Sequence, residues 1–194
     1  MLRDCFDRLR DTVATLWQLG LTGKDYRRRM EPVEASDWGR IDCRPYRASD
    51  LEAVIGIFHS ALRETASAEY DPAQIEAWSR IDRAVWAERR LRGCCRVAWI
   101  GTEAAGFADL EPDGRLDMLY VHPTHGRRGV ARALLRDVET LTVDLGLVAL
   151  RTEASLTARP FFEAAGFHVV EAETVARNGQ AFRRYRMRKD GLGA

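Results

Sequence analysis

The sequence predicts an α+β domain in which a mixed α/β sheet, mostly antiparallel, is flanked by helices. Three observations predict this class. From Arg40 onward, apolar residues recur at helical spacing in some segments and alternate in others. Three strand-like segments follow one another closely, with turn-forming residues at 101–103 and 112–114 between them. A helix and one more short strand come next, which is the order of a crossover onto a parallel strand.

Local signals justify each element in turn. Residues 41–47 alternate enough for a strand, and Ser49-Asp50-Leu51-Glu52 has the pattern of a capping box ahead of a helical apolar stripe. Asp71 and Pro72 are typical of the start of a second helix, as its cap and its first residue. The other predicted elements are a helix at 84–91, strands at 94–100, 106–111 and 115–121, a helix at 131–145, a strand at 147–152, a helix at 157–165, a strand at 167–170, and a hairpin that joins 173–177 to 180–187 through Asn178-Gly179.

The first 39 residues differ from the rest of the chain. Apolar residues spaced by three and four positions predict an amphipathic helix, which Gly20 ends before a polar connector. This helix is either a partner or oligomer surface, or an element that is packed on its own domain or loosely ordered. A third alternative is that the natural start is Met30. We therefore predict an appendage at 1–39 and one compact domain at 40–190. The apolar residues of the helix are Leu2, Phe6, Leu9, Val13, Leu16 and Trp17.

Charge balance and cysteine pattern exclude several classes of protein. The 194 residues include 30 Lys and Arg against 29 Asp and Glu, and a net charge of +1 argues against a dedicated nucleic-acid binder. No apolar stretch approaches the ~20 residues of a membrane helix. Asp4, Asp7 and Asp11 interrupt any secretory signal. The 4 cysteines have no C-x-x-C spacing, so neither a metal site nor a disulfide framework is predicted. We expect a cytoplasmic protein that binds no metal.

Arginine accounts for 28 of the 30 basic residues, because Lys24 and Lys189 are the only lysines. The simplest explanation is the base composition of the genome. The alternative is a demand for bidentate contacts with anions somewhere on the surface.

The segment 116–132 carries the clearest chemical signal. A predicted strand leads into a loop with Gly126 and Gly129, and a helix begins a few residues later. Backbone N–H groups in such a loop and at the helix N-terminus form an anion site, to which Arg127 and Arg128 add charge. The loop is not a P-loop, since no Lys-Ser/Thr follows the second glycine, and the third glycine of the dinucleotide fingerprint is missing. Taken alone, it is equally well a surface turn with solvated arginines.

Two blocks of sequence resemble the GNAT superfamily of acyl-coenzyme-A-dependent N-acetyltransferases. Gly126-Arg127-Arg128-Gly129-Val130-Ala131 is similar to the family loop Gln/Arg-x-x-Gly-x-Gly/Ala, although Gly126 replaces the usual first residue. Residues 155–167 (SLTARPFFEAAGF) are similar to the family segment Asn-x-x-Ala-x-x-Phe-Tyr-Glu-x-x-Gly-Phe at the same spacing. The YafP-like acetyltransferases in particular are resembled by residues 66–75, 77–78, 116–121, 127–131 and 154–167. The resemblance implies that 40–190 is an acetyltransferase domain with a sheet of about seven strands, whose fourth and fifth strands splay apart.

The resemblance also implies a binding site for acetyl-CoA. In the superfamily, N–H groups of the loop after the fourth strand hold the pyrophosphate, and the edge of that strand pairs with the pantetheine arm. A backbone N–H near Val121 would bind the thioester oxygen, as acyl transfer requires. The residues implied are Leu119, Tyr120, Val121, Arg127, Arg128, Gly129, Val130, Ala131, Arg132 and, in place of the family's Asn, Ser155.

The acid and the base of the reaction are less clear. The Tyr that often protonates the leaving thiolate in the superfamily is Phe162 here. Tyr120 is our candidate replacement, ahead of His122, and the candidate bases are Asp117 and Glu153. Asp117 and Tyr120 have opposite parity on a regular strand, so both face the cleft only if a bulge intervenes. Alternatively, the two carboxylates are ordinary surface or ion-pair residues.

These inferences predict an N-acetyltransferase that moves an acetyl group from acetyl-CoA to a primary amine of a small molecule or peptide. Transfer is expected to be direct, in a ternary complex, because no cysteine lies near the motif. Tyr70, Trp78 and Trp86 line the acceptor pocket or pack in the core. No nucleic-acid or membrane partner is expected, and a homodimer is left open. The alternative function, which Phe162 favours, is a non-catalytic acyl-CoA-binding or regulatory module.

Overall fold

The computed structural model describes residues 40–193, and the predicted N-terminal helix and connector lie outside these residues. Seven strands form one sheet in the order β1-β2-β3-β4-β5-β7-β6. Neighbouring strands are antiparallel except β4 and β5, which are parallel. The predicted α+β class and the mostly antiparallel sheet are therefore confirmed. The strands are β1 (Ile41–Pro45), β2 (Cys94–Ile100), β3 (Glu103–Leu110), β4 (Arg115–Val121), β5 (Ala149–Ser155), β6 (His168–Arg177) and β7 (Gln180–Asp190).

Helices cover both faces of the sheet. On one face lie α1, α2 and α3, and on the other lie α4 and α5. None of the helices among residues 40–193 is long and apolar enough to cross a membrane. The helices are α1 (Leu51–Ser60), α2 (Pro72–Ser79), α3 (Arg83–Arg92), α4 (Val130–Asp144) and α5 (Arg159–Ala164), and a π-helical turn follows α1 at Ala61–Thr65.

Each face has its own apolar core. Under α4 and α5, Leu134 and Val138 pack with Leu116 and Leu150 of the central strands. Under α1–α3, the core is more aromatic, and Phe58 packs with residues that include Tyr46, Trp86, Phe107 and Phe182. Burial of a large apolar side chain stabilises a fold by roughly 1.5–3 kcal/mol. The central strands are held from both sides, which keeps the strand ends in fixed positions.

Local capping follows the prediction at one helix and departs from it at another. Asp71 caps α2 as predicted, since its Oδ1 accepts the Gln74 N–H at 2.8 Å and the Gln74 side chain returns to the Asp71 N–H at 3.0 Å. The predicted cap of α1 is wrong. A 3-10 turn at Ala48–Asp50 precedes α1, and the buried Asp50 carboxylate binds Arg44 at 2.8 and 2.9 Å. A guanidinium offers that carboxylate a stronger, charge-assisted bond than the helix N–H groups do.

Two strand boundaries also differ from the prediction. β5 runs to Ser155 rather than ending at Thr152, because it pairs with β7 along its whole length. Leu147, predicted to start this strand, lies in the turn after α4, where its N–H binds the Thr142 carbonyl at 3.0 Å. The segments predicted at 167–170 and 173–177 form one strand, since a bulge between Val169 and Glu171 lets pairing with β7 continue.

The β6–β7 hairpin is joined to α2. The Gln74 side chain donates to the Ala181 carbonyl at 2.7 Å, and the Asn178 side chain donates to the Ala77 carbonyl at 2.6 Å. Trp78 packs edge-on against Phe182, with 5.6 Å between ring centroids. The hairpin and α2 therefore hold a group of aromatic side chains over the face of the sheet that carries the second core.

Close packing of α4 on the sheet requires glycine at position 106. A Cβ atom there would lie 2.8 Å from the Tyr120 carbonyl oxygen and 2.9 Å from a Val130 methyl group. We expect Gly106→Ala to lower the free energy of unfolding by about 1–3 kcal/mol, because the backbone of β4 must shift. Gly56→Ala is the control, since no atom lies within 4 Å of its added Cβ. Urea denaturation checks both, and equal stabilities for the two variants would contradict the packing argument.

Candidate active site

A cleft opens between β4 and β5 because the two strands pair over a short length. Arg115 pairs with Arg151 and Leu116 pairs with Thr152, and the Thr152 hydroxyl also donates to the Leu116 carbonyl at 2.9 Å. Beyond this point, β4 stays paired with β3 and β5 stays paired with β7. The predicted splay of the fourth and fifth strands is therefore confirmed. We call the point where their pairing ends the apex of the cleft, and Asp117 and Glu153 are the first residues beyond it.

Among residues 40–193, no strand pairs with the cleft-facing edge of β4 beyond Leu116. The His122 N–H donates to the Ala105 carbonyl of β3 at 2.9 Å. Because backbone groups alternate along a strand, Val121 and Leu119 direct their N–H groups to the opposite edge, toward β5. The same alternation directs the backbone of Tyr120 to β3, so Tyr120 can reach the cleft only through its side chain.

A tight loop joins β4 to α4 at the open end of the cleft. It consists of a 3-10 turn at Pro123–His125 and a second turn that ends at Gly129, the N-cap of α4. Gly129 has a φ of +86°, a conformation that glycine adopts without strain, and Arg127 has a φ of +59°. The N–H groups of the first helical turn, Val130 to Arg132, have no intrahelical acceptors and lie at the positive end of the helix dipole. Donors arranged in this way are suited to bind an anion, and the anion site that the sequence predicts at this loop stays a prediction.

His125 connects this loop to β3. Its ring is buried, with Nδ1 at 3.0 Å from the Arg128 guanidinium and Nε2 at 3.3 Å from the Glu103 carboxylate. Guanidinium groups only donate, so Nδ1 accepts from Arg128 and the Nε2 proton faces Glu103. The sequence indicated no partners for His125, because Glu103 is distant in the chain.

Asp117 lies in a β-bulge. Asp109 is paired with Met118 and Leu110 with Leu116, so Asp117 is the extra residue of β4. The bulge turns its carboxylate toward α3, where it forms an ion pair with Arg89. Tyr120 packs on the same face, against Phe58 and Phe107. Asp117 and Tyr120 have opposite parity along β4, and they lie on the same face of the sheet because this bulge intervenes.

Four charged side chains form a closed ring around this bulge, and we call it the charge ring. Arg89 lies 2.5 Å from Glu111, Glu111 lies 2.8 Å from Arg115, and Arg115 lies 2.9 Å from Asp117. Asp117 closes the ring at 2.9 Å from Arg89. Glu153 joins from β5, 3.0 Å from Nη1 of Arg115. One guanidinium therefore holds both candidate bases, and nothing in the sequence singled out Arg89, Glu111 or Arg115.

An ion pair between Arg90 and Asp109 lies in the core under α1–α3. The Arg90 side chain is fully buried, with its guanidinium 3.8 Å from the Trp86 ring centroid and 3.4 Å from the Asp109 carboxylate. Burial raises the pKa of Asp109, and the negative charge of Asp117 acts in the same direction against the effect of Arg90. Because Asp109 is the β3 residue beside the bulge, this ion pair links the bulge to α3.

The Tyr120 hydroxyl carries its proton near neutral pH. Burial raises its pKa, while the positive charge of Arg177 and a hydrogen bond with Trp78 oppose the shift. The phenol is therefore protonated near neutral pH. Its ring stacks on Phe107 at 5.6 Å and meets Phe58 edge-on at 5.1 Å, which fixes its orientation.

The far wall of the cleft is built at the end of β5. The Ser155 hydroxyl accepts the Ala158 N–H at 3.1 Å, and the Tyr70 hydroxyl accepts the Leu156 N–H at 3.1 Å. Phe162 is buried between Phe161 and Phe167 in the core under α5. The position that is Tyr in the superfamily is therefore an apolar core residue here.

The comparison with protein families agrees with this geometry. Residues 66–189 match the acetyltransferase (GNAT) domain family. The chain belongs to the GNAT acetyltransferase family. Within residues 40–193, no group of three or more His, Cys, Asp or Glu side chains could hold a metal ion.

Similar proteins include other GNAT enzymes. The chain is 38% identical to the uncharacterized N-acetyltransferase YafP of Escherichia coli (strain K12) over 152 residues, 76% of this chain and 95% of YafP. A GCN5-related N-acetyltransferase from Rhodopseudomonas palustris is 30% identical with a TM-score of 0.76, covering 80% of this chain and 99% of that one. PaiA N-acetyltransferase from Thermoplasma acidophilum, solved with coenzyme A, is 20% identical with a TM-score of 0.66, covering 78% and 99%. The last likeness shows the shared fold.

The charge ring gives a pH-dependent contribution to stability. A hydrogen bond from Arg115, joined by one from Arg89, holds the pKa of Glu111 below its usual range. Glu111 therefore stabilises the folded state fully above the pKa it has when unfolded, and this stabilisation is lost as the pH falls through the lower folded value. We expect Glu111→Gln to lower the free energy of unfolding at pH 7 by up to ~1 kcal/mol and to have little effect at pH 3.

Urea denaturation at the two pH values measures this difference. Glu88→Gln is the control, because Glu88 on α3 pairs only at the surface with Arg92. An equal effect of Glu111→Gln at pH 7 and pH 3 would rule out the charge ring as its origin.

Proposed function

We propose that this GNAT acetyltransferase moves an acetyl group from acetyl-CoA to a primary amine of a small molecule or peptide, by direct transfer in a ternary complex. The observation that carries the proposal is the position of Asp117 and Glu153. Both lie at the apex of a cleft whose open end leads to the N-terminus of α4. An anion site and a pair of carboxylates thus lie at opposite ends of one cleft.

The residues of the cleft fit acetyl-CoA, which supplies an activated acetyl thioester. The N–H groups from Arg127 to Arg132 would hold the pyrophosphate, with Gly129 allowing close approach of the backbone. Leu119 and Val121 would offer N–H groups to the pantetheine arm and to the thioester oxygen, and Ser155 lies on the opposite wall. PaiA was solved with coenzyme A and yncA, a putative acetyltransferase from Salmonella typhimurium, with acetyl-CoA, and the fold that this chain shares with both supports acetyl-CoA as the co-substrate.

The two carboxylates at the apex would act on the acceptor. An acceptor ammonium gives a proton to Asp117 or Glu153, and the free amine can then form the bond to the acetyl carbon as the carbon–sulfur bond breaks. Tyr120 is on the same face and carries a proton for the departing thiolate. Its hydroxyl is protonated near neutral pH, whereas Phe162 has no proton to give.

The state of the cysteines favours direct transfer over an acyl-enzyme. Burial raises the pKa of Cys43 to about 12 and raises that of Cys95 as well. Both thiols are therefore protonated near neutral pH, when only a thiolate is an effective nucleophile. Free thiols at Cys43 and Cys95 are also what a cytoplasmic location implies, and we propose that location for the protein.

The aromatic side chains near α2 support an acceptor site on the same face as Asp117. Tyr70, Trp78 and Phe182 are in mutual contact, with ring centroids 5.3–5.8 Å apart. Tyr70 and Phe182 are buried, so Trp78, which is half-buried, is the member of this group that an acceptor can contact. Trp86 is buried in the core beside Phe58 and Phe107 instead.

A second candidate function is a non-catalytic acyl-CoA-binding module, which the apolar setting of Phe162 favours. Turnover separates the two. We expect acetyl-CoA and a panel of primary amines to release thiol, and Asp117→Asn to lower kcat by about 100-fold because the base is lost. Asp113→Asn is the control, since that carboxylate lies in an exposed turn. Tight binding of acetyl-CoA without thiol release from any amine would support the non-catalytic module and refute the enzyme.

A further inference from the structure

We propose that the two arginines of the charge ring have different roles toward Asp117, and this inference rests on the proposed function. Arg115 is a fixed anchor that positions the carboxylate. Arg89 is a displaceable cover, which the ammonium group of a cationic acceptor replaces.

Arg115 is held from three directions. Its Nε lies 2.8 Å from Glu111, and its Nη1 lies 3.0 Å from Glu153 and 2.9 Å from Oδ1 of Asp117. It is also the residue of β4 that pairs with Arg151 at the closed end of the cleft. A guanidinium bound to carboxylates on both sides of the apex cannot leave without breaking contacts with two strands.

Arg89 is held less firmly. It extends from α3, its side chain is 44% exposed, and its contacts in the ring are with Glu111 and with Oδ2 of Asp117. The Oδ2 atom is buried, and although Arg89 lies 2.9 Å away, no donor among residues 40–193 is aligned to form a hydrogen bond with it. The Arg89 guanidinium therefore lies beside Oδ2 of Asp117 without forming a hydrogen bond with it.

An oxygen in this state is suited to receive an ammonium. A buried carboxylate oxygen without an aligned donor costs free energy, which an N–H of the acceptor would recover. Exchange of Arg89 for an ammonium leaves the charge near Asp117 unchanged, so Arg115, Glu153 and the Arg90–Asp109 pair need not rearrange. Glu111 loses its contact with Arg89 but keeps its hydrogen bond from Arg115. A neutral acceptor that displaced Arg89 would remove one positive charge from the charge ring without replacing it.

Steady-state kinetics of two matched variants test the assignment. Because Arg89 competes with the acceptor, we expect Arg89→Gln to lower the KM for the amine several-fold and to change kcat by less than about 3-fold. We expect Arg115→Gln to lower kcat by at least about 10-fold, as expected when a general base is misplaced. Arg115→Lys should restore part of kcat, and Arg92→Gln on the same helix, paired at the surface with Glu88, should change neither constant. Equal changes in kcat and KM for Arg89→Gln and Arg115→Gln would overturn the proposal.

Thermal melts test the different roles of Arg115 and Arg89 independently of the proposed function. Arg115→Gln should lower the melting temperature by at least about 3 °C and Arg89→Gln by no more than about 1 °C. If the wild-type protein binds acetyl-CoA but acetylates no amine, the proposed function fails, while the melts still decide whether one arginine is an anchor and the other a cover. Equal losses in the two melts would refute the difference between them.

Discussion

The early separation of β4 from β5 is the constraint on which the rest of the site depends. Two residue pairs and one side-chain hydrogen bond, from Thr152 to the Leu116 carbonyl, close the apex. Each strand then follows its outer neighbour, so the N–H groups of Leu119 and Val121 remain on an open edge. The splay thus leaves backbone donors of β4 facing the cleft in the middle of the sheet, between two strands that are each paired along their other side.

Carboxylates of the same chain occupy many of the arginines, which explains part of the arginine bias. Arg44, Arg90 and Arg115 bind Asp50, Asp109 and Glu111 respectively, each a buried or half-buried partner. Planar guanidinium groups can bridge several oxygens at once, and Arg115 does so across two strands. The bias toward arginine therefore has a structural use at the apex, in addition to the two arginines on the loop before α4.

Periodicity and turn residues predicted most of the fold, and the family motifs predicted the cleft and its loop. Asn178-Gly179 forms the predicted hairpin turn and Asp71-Pro72 the predicted helix start, because both signals are local. The charge ring could not be predicted from the sequence, because it depends on a bulge that moves Asp117 to the face of the sheet where Arg89, Glu111 and Arg115 meet. The partners of His125 were missed for the same reason, because contacts between distant segments leave no periodic signal.

Hydrogen exchange of backbone amides tests the central claim, that the open edge of β4 and the first turn of α4 hold acetyl-CoA. Addition of acetyl-CoA should slow exchange at Leu119, Val121 and Val130–Arg132, whereas Tyr120, whose N–H already faces β3, should not change. Binding of acetyl-CoA that leaves Leu119 and Val121 unprotected would contradict the account.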